Sequence, residues 1–253
     1  MRFFTEFRLL LARSIRGSLR NPVWLFIGLF QPALYLLLFA PLLGSLGNVP
    51  GFPPGGAYTV FTPGLLVMVA LFGTAYAGFG LVDHIRSGIV ERLLVTPASR
   101  LAILLGYVTR DVIVLLAQSG ILIAIALPMG LSVNLPGLLV TFAMMVLTGT
   151  LMASCSYALA LILKREDSLA SVLNTVATPL LLLSGITLPL TLAPKIIQAI
   201  ASVNPIAYEV TASRSLFLGN FSDSAIIVGV VFLGGLALLA FVWAARSFRR
   251  GTA

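Results

Sequence analysis

Side chains able to act as acid, base or nucleophile are sparse in this 253-residue chain. The acids are Glu6, Asp83, Glu91, Asp111, Glu166, Asp167, Glu209 and Asp223, and no two form a recognisable catalytic dyad. His84 is the sole histidine and Cys155 the sole cysteine. A Ser-His-Asp arrangement, a metal site and an intramolecular disulfide therefore all lack parts. Cys155 sits in the apolar run LMASCSYALA and reads as a small buried hydrophobe. A phosphate-binding loop needs a lysine after glycine, yet Lys164 and Lys195 follow Leu163 and Pro194. No catalytic residue and no metal ligand is expected. If the protein uses energy, another polypeptide must bring it.

One stretch does carry a pattern, SGIVERLLVTPASR at 87–100. Ser87 suits an N-cap. Ile89, Val90, Leu93 and Leu94 make an apolar face at i, i+4 spacing, with Glu91 and Arg92 facing elsewhere. Pro97 disfavours helical geometry at Thr96 and ends the helix, and Ser99 can cap the next one. The expectation is a short rigid knob over 87–96 that docks into a groove of a soluble partner.

The elements that must hold this knob are membrane helices. The chain is 59% hydrophobic and 9% charged, against about 25% charged in a soluble domain. Runs of about 20 apolar residues fall at 22–43, 58–82, 103–129, 138–163, 169–189 and 224–245. Fourteen of the sixteen Lys and Arg lie on one side of these runs, and only Lys195 and Arg214 on the other. That asymmetry places both termini in the cytoplasm, and the net charge of +8 reports topology rather than nucleic-acid binding. Arg110 and Asp111, near the start of the third run, read as interfacial, with Arg110 reaching back to the headgroups; a proton relay is the alternative.

Residues 1–20 read as an amphipathic helix rather than a cleaved signal. Phe3, Phe4, Phe7, Leu10, Leu11 and Ile15 form one stripe, and Arg2, Arg13, Arg16 and Arg20 gather opposite, facing anionic lipid at the inner surface. On the outer side, 44–57 is a Gly- and Pro-rich loop. Segment 190–222 is semi-apolar and broken by Pro194 and Pro205, which suits short helices dipping into the outer leaflet and packed on the bundle. Within the spans, Phe72, Tyr76 and Phe79 either offer an apolar surface to a lipophilic substrate or face lipid and neighbouring helices. Asn174, Thr178 and Ser184 either face an interface or cavity or, for Thr178 and Ser184, bond to their own helix backbone. These residues alone establish a six-span protein with a docking knob; a membrane scaffold or sensor subunit, or a membrane-embedded lipid-modifying enzyme, would fit the same pattern.

Glu91, Arg92, Leu93, Leu94, Thr96, Pro97, Ser99 and Arg100 resemble the loop signature of ABC-2 type transporter permeases. NPVWLFIGLFQPALYLLLF resembles the first span of that family, Phe61-Thr62-Pro63-Gly64 the entry to its second, and LLSGITLPLTLAP with NPIAYEVTASRSL its outer segment. The drug- and lipid-exporting, daunorubicin-resistance type is the most similar. One departure is Lys195 after Pro194, where that family often carries a tryptophan. The resemblance implies an all-α polytopic membrane protein with an interface helix at 1–20, a coupling helix at 87–96, and re-entrant helices between spans five and six. It implies a permease exporting a lipophilic substrate across the bacterial cytoplasmic membrane, with two copies of a separate ABC ATPase that hold ATP and Mg. A second permease, identical or related, completes the pair. It further implies a path lined by spans two and five, hence Phe72, Tyr76, Phe79, Asn174, Thr178 and Ser184, and no cofactor in this chain.

Overall fold

A computed structural model describes residues 2–20, 23–44, 56–94, 99–186, 190 and 193–250. All regular structure among them is helical: α1 (Arg2–Arg20), α2 (Val23–Gly44), α3 (Gly56–Ala75), α4 (Ala77–Arg86), α5 (Ile89–Leu94), α6 (Arg100–Ala126), α7 (Leu135–Leu163), α8 (Glu166–Leu182), α9 (Lys195–Ala201), α10 (Pro205–Phe217) and α11 (Ser224–Arg250). A 3-10 turn at Leu127–Met129 extends α6.

Four segments are long and apolar enough to cross a membrane: Tyr58–Arg86, Arg100–Met129, Leu135–Leu163 and Ser224–Arg249. The chain is thus a polytopic membrane protein. Two of the six expected spans fall short of that measure among the described residues. Only Gly28–Phe39 of α2 qualifies as a shorter apolar helix. The other, α8, opens on Glu166 and Asp167 and has 17 residues, about 25 Å of rise. Its Leu183 amide bonds the Pro179 carbonyl at 3.0 Å, and a turn through Gly185 (φ 74°) follows.

Helix α7 is the axis of the bundle, packed by α3, α4, α6, α8, α10 and α11. It is apolar all round, as a surrounded helix must be. Two apolar cores flank it. One, with Leu65, Leu66, Met68, Met144 and Leu216, fills the end that carries α10. The other, with Leu81, Leu104, Tyr157 and Phe248, fills the arginine-rich end.

The amphipathic N-terminal helix packs on α6, with Phe7, Leu10, Leu11 and Ile15 half-buried. Phe4 and Leu9 are 77% and 64% exposed, so the apolar stripe is only partly used within this chain. The side chains of Arg2 and Phe3 lie outside the described residues.

The outer segment forms α9 and α10. Helix α10 is seated against α3, α7 and α11, its Ile206, Ala207, Val210 and Leu216 buried. The seat is tight: a Cβ on Gly137 of α7 would stand 2.0 Å from the Leu216 carbonyl oxygen.

Candidate functional site

The knob sits between α4 and α6. Ser87 does not cap α5. Its hydroxyl donates to the Asp83 carbonyl at 2.9 Å, closing the end of α4, and Gly88, at φ 70°, turns the chain. The Gly88 carbonyl then accepts from Arg92 N at 3.2 Å and starts α5. A serine serves either helix end, and the glycine after it marks a C-terminus. Val90, at 5% exposed, packs in the protein's own core and anchors α5. Ile89 is half-buried and Arg92 exposed. Thr96 and Pro97 lie outside the described residues, as do the side chains of Glu91, Leu93 and Leu94.

The helices on either side of the knob are braced to the bundle. Ser99 caps α6, its hydroxyl accepting from Ala102 N at 3.1 Å, while its own amide donates to Glu6 of α1 at 3.1 Å. Arg100 donates to the Arg249 carbonyl of α11 at 2.8 Å. Arg86 at the end of α4 pairs with Glu166 at the start of α8 at 3.0 Å, both side chains about half exposed; such a surface pair contributes about 0.2–1 kcal/mol. The start of α6 is thus linked to α1 and α11, and the end of α4 to α8.

Behind the knob lies a polar network. Arg110 turns onto its own bundle. It pairs with Asp111 at 2.6 Å and donates to the Tyr157 hydroxyl at 3.1 Å. Tyr157 closes the triangle by donating to Asp111. Tyr107 stacks at an angle on Tyr157 with centroids 5.8 Å apart, lies 5.9 Å from the Arg110 guanidinium, and its hydroxyl meets His84 Nδ1 at 3.0 Å. Burying Arg110 among apolar helices is feasible because its charge is matched on site. This joins α4, α6 and α7.

The second predicted span is two helices. It breaks at Tyr76 (φ −86°, ψ 4°). The Gly78 amide donates instead to Ser156 Oγ of α7 at 2.9 Å. A Cβ on Gly78 would lie 2.6 Å from both the Ser156 carbonyl and hydroxyl oxygens, so the close approach needs glycine. At the break Tyr76 stacks with Phe72 and tilts against Phe79, with centroids 6.3 and 5.7 Å apart. Its hydroxyl donates to Asn174 Oδ1 at 2.7 Å. Four of the six path residues thus lie together, with Thr178 exposed one turn along α8. Ser184 stands apart. It is fully buried, donating to the Leu181 carbonyl at 2.6 Å and accepting from Ile186 N at 3.3 Å, so it finishes the end of α8.

Two functional candidates escaped the sequence pattern because they looked like loop charges. Arg214 of α10 donates to the carbonyls of Val60, Gly185 and Ile186 at 2.9, 2.8 and 3.2 Å. One guanidinium thereby covers backbone oxygens near the start of α3 and just past the end of α8. Asn204, the cap of α10, adds a bond to the Leu180 carbonyl at 2.9 Å. Glu209 is fully buried and accepts from Thr148 of α7 at 2.5 Å. Among the described residues, no three His, Cys, Asp or Glu could hold a metal ion together.

The bundle of long apolar helices, with arginines gathered at one end, defines a multi-pass membrane protein. The ABC-2 type transporter family model matches residues 5–218, and the chain belongs to that family. It is a transmembrane permease subunit, and such a permease implies a partner ATPase. Among similar proteins, the transport permease ycf38 of Porphyra purpurea is 30% identical over 248 residues, covering 94% of this chain and 84% of its own. The inner membrane transport permease YadH of Escherichia coli (strain K12) is 29% identical over 226 residues, 86% and 85% of the two chains. The daunorubicin resistance ABC transporter permease protein DrrB1 of Streptomyces coeruleorubidus is 27% identical over 230 residues, 86% and 77%.

Proposed function

We propose that the chain is one half of an ATP-driven exporter. It crosses the cytoplasmic membrane six times, α2 and α8 serving as spans one and five, and pairs with a second permease. Two copies of a separate ATPase, holding ATP and Mg, grip α5 as a coupling helix, with α1 as an interface helix beside it. A lipophilic drug or lipid passes between the paired permeases along Phe72, Tyr76, Phe79, Asn174 and Thr178. The path offers aromatic surface and uncharged polar groups, and DrrB1, a drug-resistance permease by name, is a relative. Helices α9 and α10 form a re-entrant outer gate.

The observation that supports this reading is the bracing of the start of α6, which follows the six-residue α5 in the chain, to α1 through Ser99 and Glu6 and to α11 through Arg100 and Arg249. A loop that only joined two spans would need no such bracing. The test is purification of the complex in mild detergent, followed by ATP hydrolysis and dye export in vesicles. Charge reversal at the exposed Arg92 should leave hydrolysis running while export falls at least tenfold. Normal export by Arg92→Glu, or a native complex without an ATPase, would defeat the reading.

A further inference from the structure

Glu209 lies where a carboxylate is costly. It is fully buried on a 13-residue helix that does not span the membrane. Its Oε2 has the Thr148 bond, while Oε1 is buried without a partner. Ser213 Oγ, one turn further on the same face, is also buried and unpartnered. The elements packed on α10 are α3, α7 and α11. The buried polar side chains of α3 are Thr59, Thr62 and Thr74 and those of α7 are Thr141, Thr148, Ser154 and Ser156, all hydroxyls, and α11 has no ionisable side chain before Arg246. On α10 itself the Tyr208 hydroxyl is turned to the Ser202 carbonyl and Arg214 to three backbone carbonyls. Asp223 is engaged by Ser215. Glu209 therefore has no cation to pair with among the described residues. An ionised, unpaired carboxylate in such a place costs several kcal/mol, and the group takes a proton instead.

We propose that Glu209 is a proton-binding site of the seated α10, occupied when the outer end is closed and emptied to the outer water when α10 lifts. The proton sits on the unpartnered oxygen while Thr148 donates to the other. On unseating, the O–H bond breaks, the proton passes to water, and the hydrated carboxylate remains. Burial is the larger influence and pushes the group up to about 8, against 4.5 ordinarily; the Thr148 bond opposes it. A wetted Glu209 returns to the ordinary value. Between about pH 4.5 and about pH 8 the seated state holds a proton that the lifted state does not. Raising pH across this window favours lifting, about tenfold per pH unit. The link to export rests on the gate reading above; proton binding stands without it.

The experiment uses the full chain in nanodiscs of phosphatidylethanolamine and phosphatidylglycerol. Infrared difference spectra of wild type against Glu209→Gln should show a protonated carboxyl at pH 7 that vanishes above about pH 8. Hydrogen exchange of α10 amides, as the ratio of wild type to Glu209→Gln, should rise about tenfold per pH unit through the window. If Glu209→Gln does not fold, the wild-type melting temperature alone must fall as pH rises through the window. An ionised Glu209 at pH 7, or a melting temperature rising with pH, overturns proton binding. A flat exchange ratio overturns its link to α10. None of these readouts needs transport, so their failure leaves the exporter reading standing.

Discussion

The Tyr76 hydroxyl donates to Asn174 Oδ1 at 2.7 Å, joining the broken second span to the exposed face of α8. This bond spans 98 residues of sequence and is a direct side-chain link between the two helices proposed to line the path. Removing it should loosen α8, since that helix has few other neighbours: α3, α4 and α7. Tyr76→Phe and Asn174→Ala should each cost about 0.5–1.5 kcal/mol. The double variant should cost less than their sum, read by melting in detergent. Export of a lipophilic dye should fall several-fold in both.

Gly78 faces Ser156 with no room for a methyl group. Gly78→Ala must push α4 from α7 and should destabilise by about 1–3 kcal/mol. Ser156→Ala fits without strain but strands the Gly78 amide, at about 1–3 kcal/mol. Thermal unfolding compares the two; equal stability of either variant with wild type would contradict the observed joint.

The Arg110–Asp111–Tyr157 triangle yields a sign test. Asp111→Asn leaves Arg110 buried and uncompensated, a loss of about 3–5 kcal/mol. Combining it with Arg110→Met removes both charges and should recover most of that loss. Tyr157→Phe should cost less, about 1–3 kcal/mol. Melting temperatures of the four proteins give the order.

Arg214→Met leaves the carbonyls of Val60, Gly185 and Ile186 without their donor. We expect a loss of about 3 kcal/mol and faster proteolysis of the α8–α10 segment. Arg214→Lys should fall between, because an ammonium cannot reproduce the planar fork.

Much of the architecture could be read from period and composition alone. Four helical runs fell near their expected places because a bilayer demands long apolar stretches. Ser99 was legible as a cap, since the cap is local. Ser87 was misassigned because Gly88, the residue that decides the end of α4, was given less weight than the serine. The break at Tyr76 carries no proline; its cause is Ser156, far along the chain, which takes up the Gly78 amide. The burial of Val90 was not legible, because spacing shows that a face is apolar but not which neighbour covers it. Arg110, Glu209 and Arg214 were hidden for a related reason. Whether a charge reaches water depends on partners 47, 61 and up to 154 residues away, and no local pattern records them.

The joint at Tyr76 divides one crossing into two levers. A hydroxyl rotates almost freely, so Ser156 can follow the Gly78 amide through a modest bend without baring a peptide donor to hydrocarbon. The lower lever ends at Arg86, beside the knob; the upper one is pinned at Val60 by Arg214. Under the proposed coupling, motion introduced from below would pivot at mid-crossing and swing the aromatic cluster sideways, while the far end stayed fixed until its own clasp let go.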